Sequence, residues 1–203
     1  RSVLKRPYPS DHVKAHGRNM DGQVMSANFE YVFIAASLNG NYNFNRIARY
    51  VSITLQGNGI PVVLLTKVDL CSNPENYVRE IEGLSDKVRV HTISALYGIG
   101  LDELKEYLKP EKTIAILGSS GVGKSTLVNA LCGEETMKTS EVRESDSKGR
   151  HTTTYRQLLE LPNGARIIDT PGMRELGKCD VDEGIDETFS DIAQLEAQCK
   201  FRN

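Results

Sequence analysis

Gly118-Ser119-Ser120-Gly121-Val122-Gly123-Lys124-Ser125-Thr126 fits the pattern G-x-x-x-x-G-K-[ST], whose chemistry is the grip of a phosphate chain. Glycines let successive backbone N–H groups turn inward around an anion, and a helix starting at Lys124 would add the partial positive charge of its N-terminus. Lys124 would bridge the β- and γ-phosphates of a nucleotide, and Ser125 would lend its hydroxyl oxygen to Mg²⁺. Gly/Ser-rich turns match this pattern by chance. Here the loop lies between the apolar run Thr-Ile-Ala-Ile-Leu and an amphipathic segment, the strand-to-helix context that a nucleotide site needs.

Two runs downstream supply complementary groups. Asp169-Thr170-Pro171-Gly172 begins 51 residues after Gly118, behind Ile167-Ile168. Asp169 would reach Mg²⁺ through water, and Gly172 would offer its N–H to the γ-phosphate. Taken alone this tetrapeptide is an ordinary turn, and its spacing from the loop gives it meaning. Gly149-Arg150-His151-Thr152-Thr153-Thr154 precedes it; Thr153, or one of its two threonine neighbours, would complete the Mg²⁺ shell and order that loop. The residue after Gly172 is Met173, which cannot orient a water as a glutamine there would. His151 is the nearest polar candidate for that task, because imidazole can orient or deprotonate water. A surface histidine touching RNA or solvent is the equal alternative.

Two runs upstream would read a base. Thr66-Lys67-Val68-Asp69 departs by one residue from the guanine-reading pattern Asn-Lys-x-Asp. Asp69 would accept hydrogen bonds from N1–H and the 2-amino group of guanine; adenine offers neither donor, so a carboxylate there discriminates. Lys67 would lay its aliphatic stem along the base, and Thr66 would do with a hydroxyl what an asparagine amide usually does. The N–H of Ala95, in Ser94-Ala95, would bond the guanine carbonyl, although Ser-Ala alone is a weak signal. In the usual chain order such base motifs follow the phosphate loop. Here they precede it, which reads as a circular permutation.

The elements that must position these groups are legible as alternating strands and helices. Apolar strands are predicted over 29–37 and 61–65, with further strands over 88–93 and 113–117. Helices are predicted over 43–55, 74–84, 101–108 and 124–131. Strands over 155–161 and 165–168 form a hairpin around Pro162-Asn163-Gly164. The alternation implies βαβ units and a parallel sheet. Residues 1–28, with Pro7, Pro9, Gly17 and Gly22, read as an irregular lead-in, and 133–154 as a mobile loop.

The chain has 203 residues, 39% apolar and 26% charged, enough for one core of ordinary composition. No apolar run is long enough to span a membrane, and no signal peptide is seen. Cys71, Cys132, Cys179 and Cys199 form no Cys-x-x-Cys pair and read as reduced thiols of a cytoplasmic protein. Net charge is −2, yet Arg1, Lys5, Arg6, Lys14 and Arg18 face only Asp11 in the first eighteen residues. That segment is either a solvated basic tail or a contact for RNA phosphates.

Together the motifs resemble those of the circularly permuted GTPases, and within them the ribosome small-subunit-dependent GTPase A family. The resemblance is carried by Gln23-Val24-Met25-Ser26-Ala27-Asn28, the phosphate loop, Gly-Arg-His-Thr-Thr-Thr and Asp-Thr-Pro-Gly-Met-Arg-Glu, and runs from about residue 3 to the end. It implies a P-loop α/β domain, a permuted Ras-like GTPase with a mostly parallel six-stranded sheet, over 29–178. It also implies GTP hydrolysis stimulated by the 30S subunit in late small-subunit maturation, with GTP/GDP and Mg²⁺ as ligands, 16S rRNA as a further partner, and a monomer. Family members carry an N-terminal OB-fold, to which 1–28 would be the lead-out, and a C-terminal zinc domain, which 179–203 would open. Cys199 would be the first ligand of its Cys-x4-Cys-x-His-x5-Cys motif, and alone it cannot hold zinc. Two other readings are a GTP/GDP-gated binding module with little intrinsic hydrolysis and an ATP-using P-loop enzyme. The second must ignore Thr66 to Asp69.

Overall fold

The computed structural model describes residues 2–6, 23–133 and 157–169. Two short strands, β1 (Val3–Arg6) and β2 (Gln23–Ala27), pair antiparallel. The main sheet contains β3 (Tyr31–Ser37), β4 (Ile60–Thr66), β5 (Arg89–Ile93), β6 (Thr113–Leu117), β7 (Gln157–Glu160) and β8 (Arg166–Asp169). Its spatial order is β5-β4-β3-β6-β8-β7. Every neighbouring pair is parallel except β7 with β8.

Alternation along the central strands explains the layers. Val32, Ile34, Val63, Leu65, Ala115 and Leu117 face one core, while Phe33, Val62, Leu64, Ile114 and Ile116 face the other. Successive strand side chains point to opposite faces, so strands that are apolar throughout need cover on both. Helix α1 (Phe44–Gln56) covers the first face with Ile47, Val51 and Leu55, and α2 (Pro74–Glu82) adds Ile81. Helix α3 (Lys124–Cys132) covers the second with Leu127 and Val128. At the start of α1 the Asn43 side chain accepts from the Arg46 N–H at 2.9 Å, a side-chain cap on an otherwise orphaned donor.

Two sequence expectations need correction. The segment 101–108 is not an α-helix but a 3₁₀ turn over Asp102–Glu106. Lys105 and Asp102 pair at the i, i+3 spacing that a three-residue turn brings into line, and Pro110 stops any extension. The lead-in is not wholly irregular either. Its β1–β2 pair is docked on the main body: Leu4 is fully buried in the α1 core, the Val3 N–H donates to the Gly57 carbonyl, and the Ser2 hydroxyl donates to the Phe29 carbonyl. Alternation too short for periodicity reasoning hid both strands. The hairpin at Pro162-Asn163-Gly164 is as expected, closed by Leu161 N–H to Ala165 O and Gly164 N–H to Leu161 O.

Candidate nucleotide site

Parallel strands end together, and here their carboxyl ends carry most of the groups singled out in the sequence. Thr66 ends β4, Ser94 follows β5, Gly118 follows β6, and Asp169 ends β8. Ligands of open α/β sheets bind outside such ends. With β3 between β4 and β6, the base motifs lie on one side of the central strand and the phosphate motifs on the other.

The phosphate loop is shaped by close approach. A side chain on Gly118 would place its first carbon 2.7 Å from the Ala35 carbonyl oxygen of β3, so only glycine lets the loop leave the sheet here. Gly123, at φ 98°, turns the chain into α3 from a conformation that L-residues avoid. The backbone N–H groups of Gly121, Val122, Gly123, Lys124 and Ser125 have no hydrogen-bond partner among the described residues; Leu127 is the first of the helix to donate, to Gly123 O. Adjacent unsatisfied N–H groups at a helix start form an anion cradle. Ser120 and Thr126 flank it, both half-buried.

Lys124 folds back across the loop. Its Nζ donates to the carbonyls of Gly118 at 2.8 Å and Ser119 at 2.9 Å. Burial depresses its pKa, opposed by the negative charge of Asp169. Asp169 is 1% exposed and its Oδ1 has no hydrogen-bond partner among the described residues. Burial raises its carboxyl pKa, opposed by Lys124. A buried carboxylate oxygen without a donor is a costly arrangement. It suits a group meant to meet a hydrated cation, and among the described residues the half-buried Ser125 hydroxyl, on the first turn of α3, is a further oxygen for it.

The base side is more open. The buried Thr66 hydroxyl donates to the Val122 carbonyl at 2.6 Å, so the residue replacing asparagine ties β4 to the phosphate loop. Lys67 sits in the left-handed region at φ 59°, an unusual conformation that aims the rest of the motif. Val68 packs against the α1 core and acts as the motif's anchor. Asp69 is exposed and its carboxylate engages no side chain among the described residues. Ser94 is buried and closes a tight loop with Ile99, N–H to carbonyl in both directions at 3.0 Å. That loop leaves the Ala95 N–H without a backbone partner among the described residues.

Sequence reasoning passed over Arg46. Its Nη1 donates to the Ser119 hydroxyl at 3.2 Å, so the first turn of α1 also touches the loop. The only available signal was a lone arginine following Asn43-Phe44-Asn45 behind an apolar strand. His151, Thr153, Gly172, Met173, Cys179 and Cys199 lie outside the described residues. Cys71 and Cys132 are free. Among the described residues, no group of three metal-ligating side chains occurs and no helix is long and apolar enough to cross a membrane.

Comparison with known proteins agrees with this geometry. The model of the RsgA GTPase family matches residues 8–178. The small ribosomal subunit biogenesis GTPase RsgA 2 of Lactiplantibacillus plantarum is 46% identical over 197 residues, 96% of this chain and 55% of that protein. The small ribosomal subunit biogenesis GTPase RsgA of Xylella fastidiosa is 46% identical over 204 residues, 100% of this chain and 59% of that one. The chain thus spans little more than half the length of these curated relatives. Among solved structures, YjeQ from Thermotoga maritima superposes with a TM-score of 0.63 at 26% identity, covering 100% of this chain and 62% of its own. YloQ, described as a circularly permuted GTPase, superposes with a TM-score of 0.56 at 23% identity over 89% of this chain and 57% of its own, a likeness of fold.

Proposed function

The chain belongs to the RsgA GTPase family, and on that premise we propose that it binds GTP with Mg²⁺ and hydrolyses the β–γ bond as a maturation factor of the small ribosomal subunit. The observation that carries this reading is the joint placement, among the described residues, of a cradle of unpaired backbone N–H groups, Lys124 and the buried Asp169, whose Oδ1 has no partner there, beside two base motifs at the same end of one sheet. The cradle receives the phosphates. Lys124 exchanges a loop carbonyl for the β- and γ-phosphate oxygens, a trade from a neutral to an anionic acceptor that favours the charged ammonium. Ser125, Asp169 and Thr153 would hold Mg²⁺, which neutralises charge developing on the phosphate oxygens. Asp69 reads the base edge with the Ala95 N–H, and Lys67 covers its face.

Met173 leaves water positioning to another group, for which we take His151. The names of the relatives support the ribosomal role. On this reading the partners are the 30S subunit and 16S rRNA, and the protein acts as a monomer in the cytoplasm. The family reading further gives the intact protein an OB-fold ahead of residues 1–28 and a zinc domain to which Cys199 contributes. GTP turnover by the intact protein, with and without 30S subunits, tests the proposal. Stimulation that is lost in His151→Ala supports it, and equal slow turnover in both conditions overturns it.

A further inference from the structure

The phosphate loop is touched from behind by a cation that none of the nucleotide motifs contains. Arg46 lies in the first turn of α1, where the Asn43 cap fixes its backbone. It is half-buried, and its Nη1 reaches the hydroxyl of Ser119, itself only 8% exposed. The carbonyl of that same Ser119, with that of Gly118, holds Lys124. Arg46 is thus one residue removed from the lysine that meets the phosphates.

Among the described residues its charge has no counterpart. Among the described residues His91 pairs with Glu103, Lys105 with Asp102, Lys112 with Glu30 and Arg166 with Glu160, but no carboxylate pairs with Arg46. A half-buried guanidinium without an acid is unfavourable by itself. Placed beside a cradle of N–H donors unpaired among the described residues, its natural compensation is an anion in that cradle. Arginine also suits a brace better than lysine, because its planar fork holds one direction while its charge stays fixed at any accessible pH.

We propose that Arg46 is a positioning residue for nucleotide binding: through Ser119 it holds the phosphate loop and Lys124 in register, and it adds positive charge for the phosphate tail. In the permuted chain this brace comes from the first helix, 73 residues before the serine it supports. It joins Thr66, whose hydroxyl holds Val122, as a second strut from the base-reading half to the loop. The inference rests on the guanine-nucleotide reading above.

The test is equilibrium binding of GTP, GDP and guanosine to the intact chain and to Arg46→Ala, Arg46→Lys, Ser119→Ala and the Arg46→Ala/Ser119→Ala double variant, each checked by thermal melting. Arg46→Ala is expected to weaken GTP and GDP by about tenfold, the size of one charge-assisted hydrogen bond, and to leave guanosine unchanged. Arg46→Lys regains most of that loss. Ser119→Ala loses part of it, and the double variant is no weaker than Arg46→Ala alone. Unchanged GTP and GDP affinity in Arg46→Ala overturns the inference, as does an equal loss for guanosine, which would signal general loosening. Failure of the unaltered chain to bind any guanine nucleotide overturns instead the functional reading on which it rests.

Discussion

On the phosphate side of the site, Asp169 is 1% exposed, Lys124 is clamped between two carbonyls, and a run of backbone N–H groups is unpaired among the described residues. On the base side, Asp69 stands in solvent, and the loop after Ser94 presents Leu96 at 72% and Tyr97 at 67% exposure. The first half is shaped by contacts within the chain. The second becomes a pocket only when a base covers it. On the proposed reading, affinity would reside mainly with the backbone donors of the loop, whose ordering is accomplished in folding. On the same reading, specificity would reside with the Asp69 carboxylate, whose hydrogen bonds gain value as water leaves.

That contrast can be broken residue by residue. Lys124→Ala removes the ammonium that folds across the phosphate loop and should lower kcat/KM for GTP by on the order of 10²–10³-fold, read by steady-state turnover. Asp69→Asn should weaken GTP by about 10²-fold through the loss of two charged hydrogen bonds. It should improve xanthosine triphosphate, whose C2 carbonyl can accept from the new amide, and competition binding reads both. If Asp69→Asn changes neither, the open half is not where the base is read.

Thr66→Val tests the join between the halves. It keeps the shape but loses the bond to Val122 O, so stability should fall by about 1 kcal/mol and GTP affinity by about fivefold, measured by denaturant melts and titration. The smallest effect concerns Asp169 in the nucleotide-free chain. Burial holds its pKa above the ordinary 3.8. A raised acid contributes stability that is complete below its unfolded value and lost as pH rises through its folded one. Asp169→Asn should therefore melt higher than the unaltered chain at neutral pH, by roughly 2–4 °C for each ~1 kcal/mol relieved, and the gap should close on acidification.

The finished half was also the more legible in the sequence. Gly118 and Lys124 are dictated by backbone geometry and charge, which leave a spaced pattern, and β6 falls at Thr113–Leu117 as its apolar run predicts. The chain order of Thr66 to Asp69 before the loop revealed the permutation, because both motifs end buried strands. What the sequence could not display are contacts between distant singletons: Arg46 with Ser119, and Thr66 with Val122. The exposure of Asp69 was equally hidden, since residue type says nothing of cover. The turn at Asp102–Glu106 and the strands β1 and β2 were misjudged for a simpler reason. Elements of four or five residues hold too few positions for periodicity to separate helix, strand and loop.

The central claim is that one guanine nucleotide is held jointly by the two halves of this reordered chain. Competition of GTP, GDP and ATP for the intact chain in the presence of Mg²⁺ tests it most directly. The account predicts that GTP and GDP displace each other while ATP competes at least about 10²-fold more weakly. ATP binding as tightly as GTP, with Asp69→Asn making no difference, would contradict it.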